Sequence, residues 1–139
     1  MERKIIVTSL TLTKAETLAK AAAAKARELA LNPMGIAVID SSGHLKFALR
    51  EDGAGLAGID IALGKARAAL TFGCTSKQIA DALAGNPLAG PSVLAALDGR
   101  VVLLGGGAPI KDESGATIGA IGAAGDAPDN DEAIVLAAL

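Results

Sequence analysis

The sequence predicts an α+β fold, and three observations carry the prediction. Two stretches alternate apolar and polar residues across tight-turn signals, so their strands pair antiparallel. The helical segments carry legible caps and stand apart from the strands rather than alternating with them one by one. The resulting order is helix, hairpin, helix, helix, three strands, helix, which is not the alternation of a doubly wound sheet. At 139 residues the chain is read as one domain, residues 1–139, with no internal repeat and no linker.

The first helix is read from "TLTKAETLAKAAAAKARELALNP". Thr13 with Glu16 three residues later predicts a capping box, which satisfies orphan amide donors at the helix start. Leu18, Ala22, Ala26 and Leu29 fall on one stripe, and Asn32 and Pro33 stop the helix. In "MGIAVIDSSGHLKFALRED", Ile36, Val38 and Asp40 share one side of a strand, and Ala37 and Ile39 the other. "SSG" turns the chain, and Leu45, Phe47 and Leu49 then alternate with Lys46, Ala48 and Arg50 to complete a β-hairpin.

"AGIDIALGKARAALTFG" predicts a second helix with Ile61, Lys65, Ala68 and Phe72 near one line, Gly64 marking close helix packing. "TSKQIADALAG" predicts a short third helix, boxed by Thr75 and Gln78 and ended by Gly85. "NPLAGPSVLAALDG" reads as a loop with one helical turn at most. In "RVVLLGGGAPIKDESGATIGAIGAAG", Val101–Leu104, Ala108–Lys111 and Ala116–Ala124 are three strands, and Gly105–Gly107 let the backbone bend. Pro109 donates no ladder hydrogen bond, so its strand lies at an edge or a bulge. "DAPDNDEAIVLAAL" opens a C-terminal helix. Pro128 suits its first turn, and Asp126, Asp129, Asp131 and Glu132 favour the positive end of its dipole.

Composition narrows the function classes. With a net charge of −2, nothing marks a nucleic-acid binder. Phe47 and Phe72 are the only aromatic residues, which leaves base or sugar stacking without faces. The single cysteine, Cys74, forms neither an internal disulfide nor a multi-cysteine zinc site, and a reduced, cytoplasmic setting is the simplest reading. The N-terminal "MERKIIVTSLTLTKAE" has basic residues without a long apolar core after them, so no signal peptide is read. No run approaches the roughly 18 apolar residues of a membrane span. The chain is 51% hydrophobic and rich in alanine and glycine, which predicts that copies of the chain cover some apolar surface as a homo-oligomer.

Few residues carry chemistry. His44, the only histidine, is either a plain hairpin residue or a metal ligand or general acid/base, because its ordinary pKa lies near neutrality. Alone it cannot build a four-ligand zinc site, but it can supply one axial haem ligand. Cys74 and Met34 read as gap-fillers. Arg50, Glu51 and Asp52 end the hairpin, and Asp60 and Lys65 follow in the second helix. They make surface ion pairs, or else Lys65 is held in its alanine-rich stripe by Asp60 or Asp52 with its pKa lowered for base chemistry. Gly105, Gly106 and Gly107 offer backbone amides to an anionic group, or form a bulge at a sheet corner. Gly119 and Gly122 bare the last strand to the first helix, a neighbouring subunit or a flat ligand. The acidic cluster before the last helix lacks the calcium-loop spacing. No serine or cysteine triad is legible.

The stretches "LTLTKAETLAKAAAAKARE", "GIAVIDSSGHLKFALREDGA", "IDIALGKARAALTFG", "GGGAPI" and "IGAIGAAGDAPDNDE" together resemble the GlcG/HbpS-like family. That family includes extracellular haem-binding proteins and the C-terminal domain of PduO-type proteins. The resemblance implies a five-stranded antiparallel sheet flanked by helices in a profilin-like arrangement, and assembly into dimers and octamers. It fixes fold better than function. Three readings follow. In the leading one the protein binds a haem- or corrinoid-like small molecule between His44, Arg50 and Asp52, the helix bearing Asp60 and Lys65, and "GGGAPI". In the second it is an enzyme acting on a small carboxylate or hydroxy acid, with Lys65 or His44 as base and the Gly105–Gly107 amides holding negative charge. In the third it is a ligand-free assembly protein.

Overall fold

The computed structural model describes residues 9–139; the reading of no signal peptide rests largely on residues 1–8, which lie outside the described residues. The elements run α1 (Leu12–Glu28), β1 (Gly35–Asp40), β2 (Leu45–Arg50), α2 (Gly58–Phe72), α3 (Ser76–Leu83), α4 (Ala89–Ala96), β3 (Gly107–Lys111), β4 (Thr117–Ala124) and α5 (Pro128–Ala138). The strands form one antiparallel sheet in the order β2-β1-β4-β3. The fold is thus α+β, as the sequence predicts, and β3 is an edge strand, which is what Pro109 requires.

Both faces of the sheet are covered. Ile36, Val38, Ile110, Ile121 and Ala123 pack under α1 and α5, against Leu18, Ala22, Ala26, Ile134 and Val135. Ala37, Ile39, Ala120 and Ala124 face α2 and meet Ala62, Ala66 and Ala69. The side-chain alternation read in β1 therefore sorts correctly onto two cores. A further apolar layer lies outside α2, where Ala68, Ile79 and Val101 are buried and Leu83, Leu94, Leu97 and Leu103 pack against them.

The sheet has four strands among the described residues, not five, because Val101–Leu104 is not a strand. This segment lies on the far side of α2 from the sheet. A Cβ on Gly64 would sit 2.5 Å from Val102 Cγ2 and 3.1 Å from its backbone nitrogen, so the missing side chain admits the segment, not another helix. Pressed against a helix, it has no strand neighbour to complete a ladder. "NPLAGPSVLAALDG" forms the two-turn helix α4 rather than a loop. Pro91 falls in its first turn, where amides lack intrahelical partners anyway.

The cap of α1 is Thr11, not Thr13: the backbone of Thr11 is extended and its hydroxyl accepts from the Lys14 amide at 3.1 Å. Helix α1 ends at Glu28, ahead of Ala30 with φ +53°, so Leu29 leaves the buried stripe and is exposed. Ile61 and Phe72 are likewise exposed, while Lys65 and Ala68 from the same predicted line are buried. The Thr75/Gln78 box is present in full. Replacing Thr75 by Ala is expected to cost about 1 kcal/mol, read as a lower urea midpoint with unchanged slope. Pro128 opens α5, with Asp129 and Asp131 in its first turn.

Candidate ligand-binding site

The hairpin turn is built around Asp40. One carboxylate oxygen accepts from the Ser42 amide at 2.9 Å and the His44 amide at 3.0 Å, and Gly43 takes φ +83°. This holds His44 exposed at the tip. Helix α2 passes behind it and presents Arg67, Leu70 and Thr71, which share a face by their three- and four-residue spacing. Leu97, Arg100 and Val101, from the end of α4 and the chain after it, form the opposite wall. The result is a recess of about 500 Å³ lined by Ser42, Gly43 and His44 together with these six residues. Among the described residues, neither the Arg67 nor the Arg100 guanidinium makes an ion pair.

Lys65 lies elsewhere, in the centre of the molecule. It is 2% exposed, and its ammonium donates to Asp131 Oδ2 at 2.9 Å and to the Ala123 carbonyl at 3.0 Å. Its partner is therefore Asp131, not Asp60 or Asp52. Asp131 Oδ1 in turn accepts from the Asp126 amide at 2.9 Å. Burial raises the Asp131 carboxyl above the ordinary aspartate value, and its hydrogen bond from Lys65 offsets this only in part.

Gly105, Gly106 and Gly107 are buried, and Gly106 and Gly107 pack against this pair. A Cβ on Gly106 would come within 2.9 Å of the Lys65 ammonium, and one on Gly107 would run into the Lys65 carbonyl. The Gly107 amide donates to the buried Ser76 hydroxyl at 2.8 Å. The glycine run is thus a packed sheet corner rather than an open anion cradle.

Arg50, Asp52 and Asp60 are exposed at the other end of the hairpin. At about 3.3 Å per residue, β2 sets Arg50 roughly 20 Å from His44. Arg50 donates to the Ala54 carbonyl at 3.3 Å. A second recess, about 440 Å³, opens here between Pro33, Gly53, Gly58, Ile61 and Gly125, but Arg50, Asp52 and Asp60 are not among its lining residues.

The predicted residues therefore fall into three places. Lys65 and Gly105–Gly107 come together, His44 stands apart in its own recess, and Arg50, Asp52 and Asp60 share a surface without a common cavity. Sequence reasoning missed Arg67, Arg100 and Asp131. Asp131 was visible only as a helix-start charge, and the two arginines carried no local signal. Among the described residues, no group of three or more His, Cys, Asp or Glu side chains is placed to hold a metal, and no helix is long and apolar enough to cross a membrane.

The family model described as haem degrading protein HbpS-like matches residues 10–139. The chain belongs to the HbpS-like family. Among solved structures, HbpS is similar at 30% identity, with 99% of this chain and 95% of that one covered and a TM-score of 0.82. The Klebsiella pneumoniae protein ORFY is 28% identical over 100% of this chain and 94% of that one, with a TM-score of 0.86. PduOC, solved as its haem complex, is 26% identical over 94% of this chain and 93% of that one, with a TM-score of 0.83. No curated protein matches the chain.

Proposed function

We propose that this HbpS-like protein binds a haem-type tetrapyrrole in the recess at the hairpin tip. The observation that carries the reading is the meeting of His44, Arg67 and Arg100 in one cavity, with no carboxylate among its described lining residues. The residues fit such a group. An exposed imidazole can ligate iron, guanidinium groups suit acidic substituents, and Leu70 and Leu97 offer apolar surface. A volume of about 500 Å³ falls within the range of small-molecule sites. When bound, the group would supply a redox-active metal; the chain's own part is to hold and orient it. Family membership and the haem complex of PduOC support the same ligand class.

The test is a haem titration followed by the Soret band. A shifted band is expected for the wild type, with binding at least tenfold weaker and the band altered in His44→Ala. A wild type that leaves the haem spectrum unchanged, or a His44→Ala variant identical to it, rejects the assignment.

One second reading has an observation behind it: the two arginines, which make no ion pair among the described residues, also suit a small carboxylate or hydroxy acid. Proton transfer there would fall to His44, because Lys65 is enclosed. A rise in melting temperature with such acids but not with haem would favour that enzyme reading, and no rise with any ligand would favour a pure assembly role. We further propose one domain of profilin-like arrangement, working in the cytoplasm as a homo-oligomer between dimer and octamer. The exposed Leu45, Leu56, Leu88 and Phe72 support self-association, Leu56 being 94% exposed.

A further inference from the structure

We propose that Arg67 and Arg100 form a carboxylate clamp, so that the recess selects a ligand bearing two acidic groups and rejects one fringed with neutral amides. The inference rests on the reading that this recess binds a tetrapyrrole, and it separates the two tetrapyrrole classes. A haem-type porphyrin carries two carboxylates, whereas a corrinoid such as cobalamin carries mainly amides at its rim.

The whole chain has a net charge of −2, yet among the described residues the ionisable side chains lining this recess are His44, Arg67 and Arg100. The nearest carboxylate along the hairpin, Asp40, is committed to the Ser42 and His44 amides. Each guanidinium presents a planar fork of donors that matches a carboxylate.

Position adds to this. Arg67 projects from α2 and Arg100 from the chain beyond α4, so the two forks belong to different walls, and Leu70 and Leu97 in the same lining can meet an apolar ring. A ligand that covers the recess removes water from both guanidinium groups. A diacid replaces that water with charge-assisted hydrogen bonds. An amide-fringed ligand leaves two cations poorly compensated, and sites built this way discriminate strongly.

The test uses the full chain and four probes: haem, the metal-free dicarboxylate porphyrin, its dimethyl ester and cobalamin. The metal-free diacid is expected to bind, with the ester and cobalamin each at least tenfold weaker. Arg67→Gln and Arg100→Gln should each weaken the diacid at least tenfold while leaving the ester unchanged, with melting temperatures near wild type. Raising the salt concentration should weaken the diacid alone.

Equal affinity of the wild type for diacid and ester overturns the clamp, and this comparison needs no variant to fold. So does full diacid affinity in both glutamine variants. In either case haem binding through His44 can stand. If haem and the porphyrins all fail to bind the wild type, the tetrapyrrole reading falls and the clamp falls with it.

Discussion

Lys65→Ala is expected to destabilise the protein by about 3–5 kcal/mol, the cost of stranding a buried charge without its partner. Lys65 and Asp131 are 2% and 1% exposed, and they lie 2.9 Å apart in a region that offers the carboxylate little water. The ion pair need not stabilise the fold relative to an apolar pair; removing one half does the damage. Lys65→Met with Asp131→Asn should therefore recover much of the loss, because asparagine still offers the Asp126 amide an acceptor.

The deficit should also depend on pH. Burial already raises Asp131, and the hydrogen bond from the lysine is the largest influence holding it down, so the variant's carboxyl rises further. A carboxyl whose folded pKa exceeds its unfolded one adds stability below the unfolded value and loses it as pH climbs through the folded one. The gap between Lys65→Ala and wild type should thus be smallest in acid and widen toward neutrality. Urea melts across that range test it. A gap independent of pH, or a double variant as unstable as the single, would sink the ion-pair account.

The elements that sequence made legible are those set by local chemistry. The hairpin turn, the Thr75 cap, the edge position of Pro109 and the first turn of α5 each depend on residues a few positions apart. Val101–Leu104 departs from its expected strand because a continuous apolar run looks the same whether it enters a sheet or lies across a helix. The candidate site was legible only at His44. Its arginines come from α2 and from beyond α4, and nothing in one sequence pairs them. Lys65 stands out in the sequence as a charge in an alanine-rich helix, but its partner waits at the start of α5. Gly122 leaves bare sheet that something must approach. The approaching element is α2, which the first-helix, subunit and ligand alternatives all passed over.

That close approach sets the second large effect. Gly122→Ala is expected to cost at least about 3 kcal/mol, the upper end of ordinary overpacking, because the obstacle is backbone rather than a movable side chain. A Cβ there would collide with the Ala62 carbonyl oxygen and lie 3.0 Å from the Ala66 amide nitrogen. Gly107, paired with Gly122 in the ladder, meets α2 at Lys65, and a Cβ on Gly35 of β1 would lie 2.6 Å from the Gly58 carbonyl carbon. Three strands thus offer the helix a trough of bare backbone.

Helix α2 has little freedom to back away. The Val101–Leu104 segment rests on its other side at Gly64, and displacing the helix would disturb Lys65 and Arg67 together. The control is Gly85→Ala, which meets nothing within 4 Å and has no positive φ. It should be neutral or stabilising by up to about 1 kcal/mol, through the unfolded chain. Parallel thermal and urea melts of the two variants decide the matter. If Gly122→Ala melts with the Gly85→Ala control, then α2 does not seat on the sheet backbone, and the placement of Arg67 in the ligand recess loses its support.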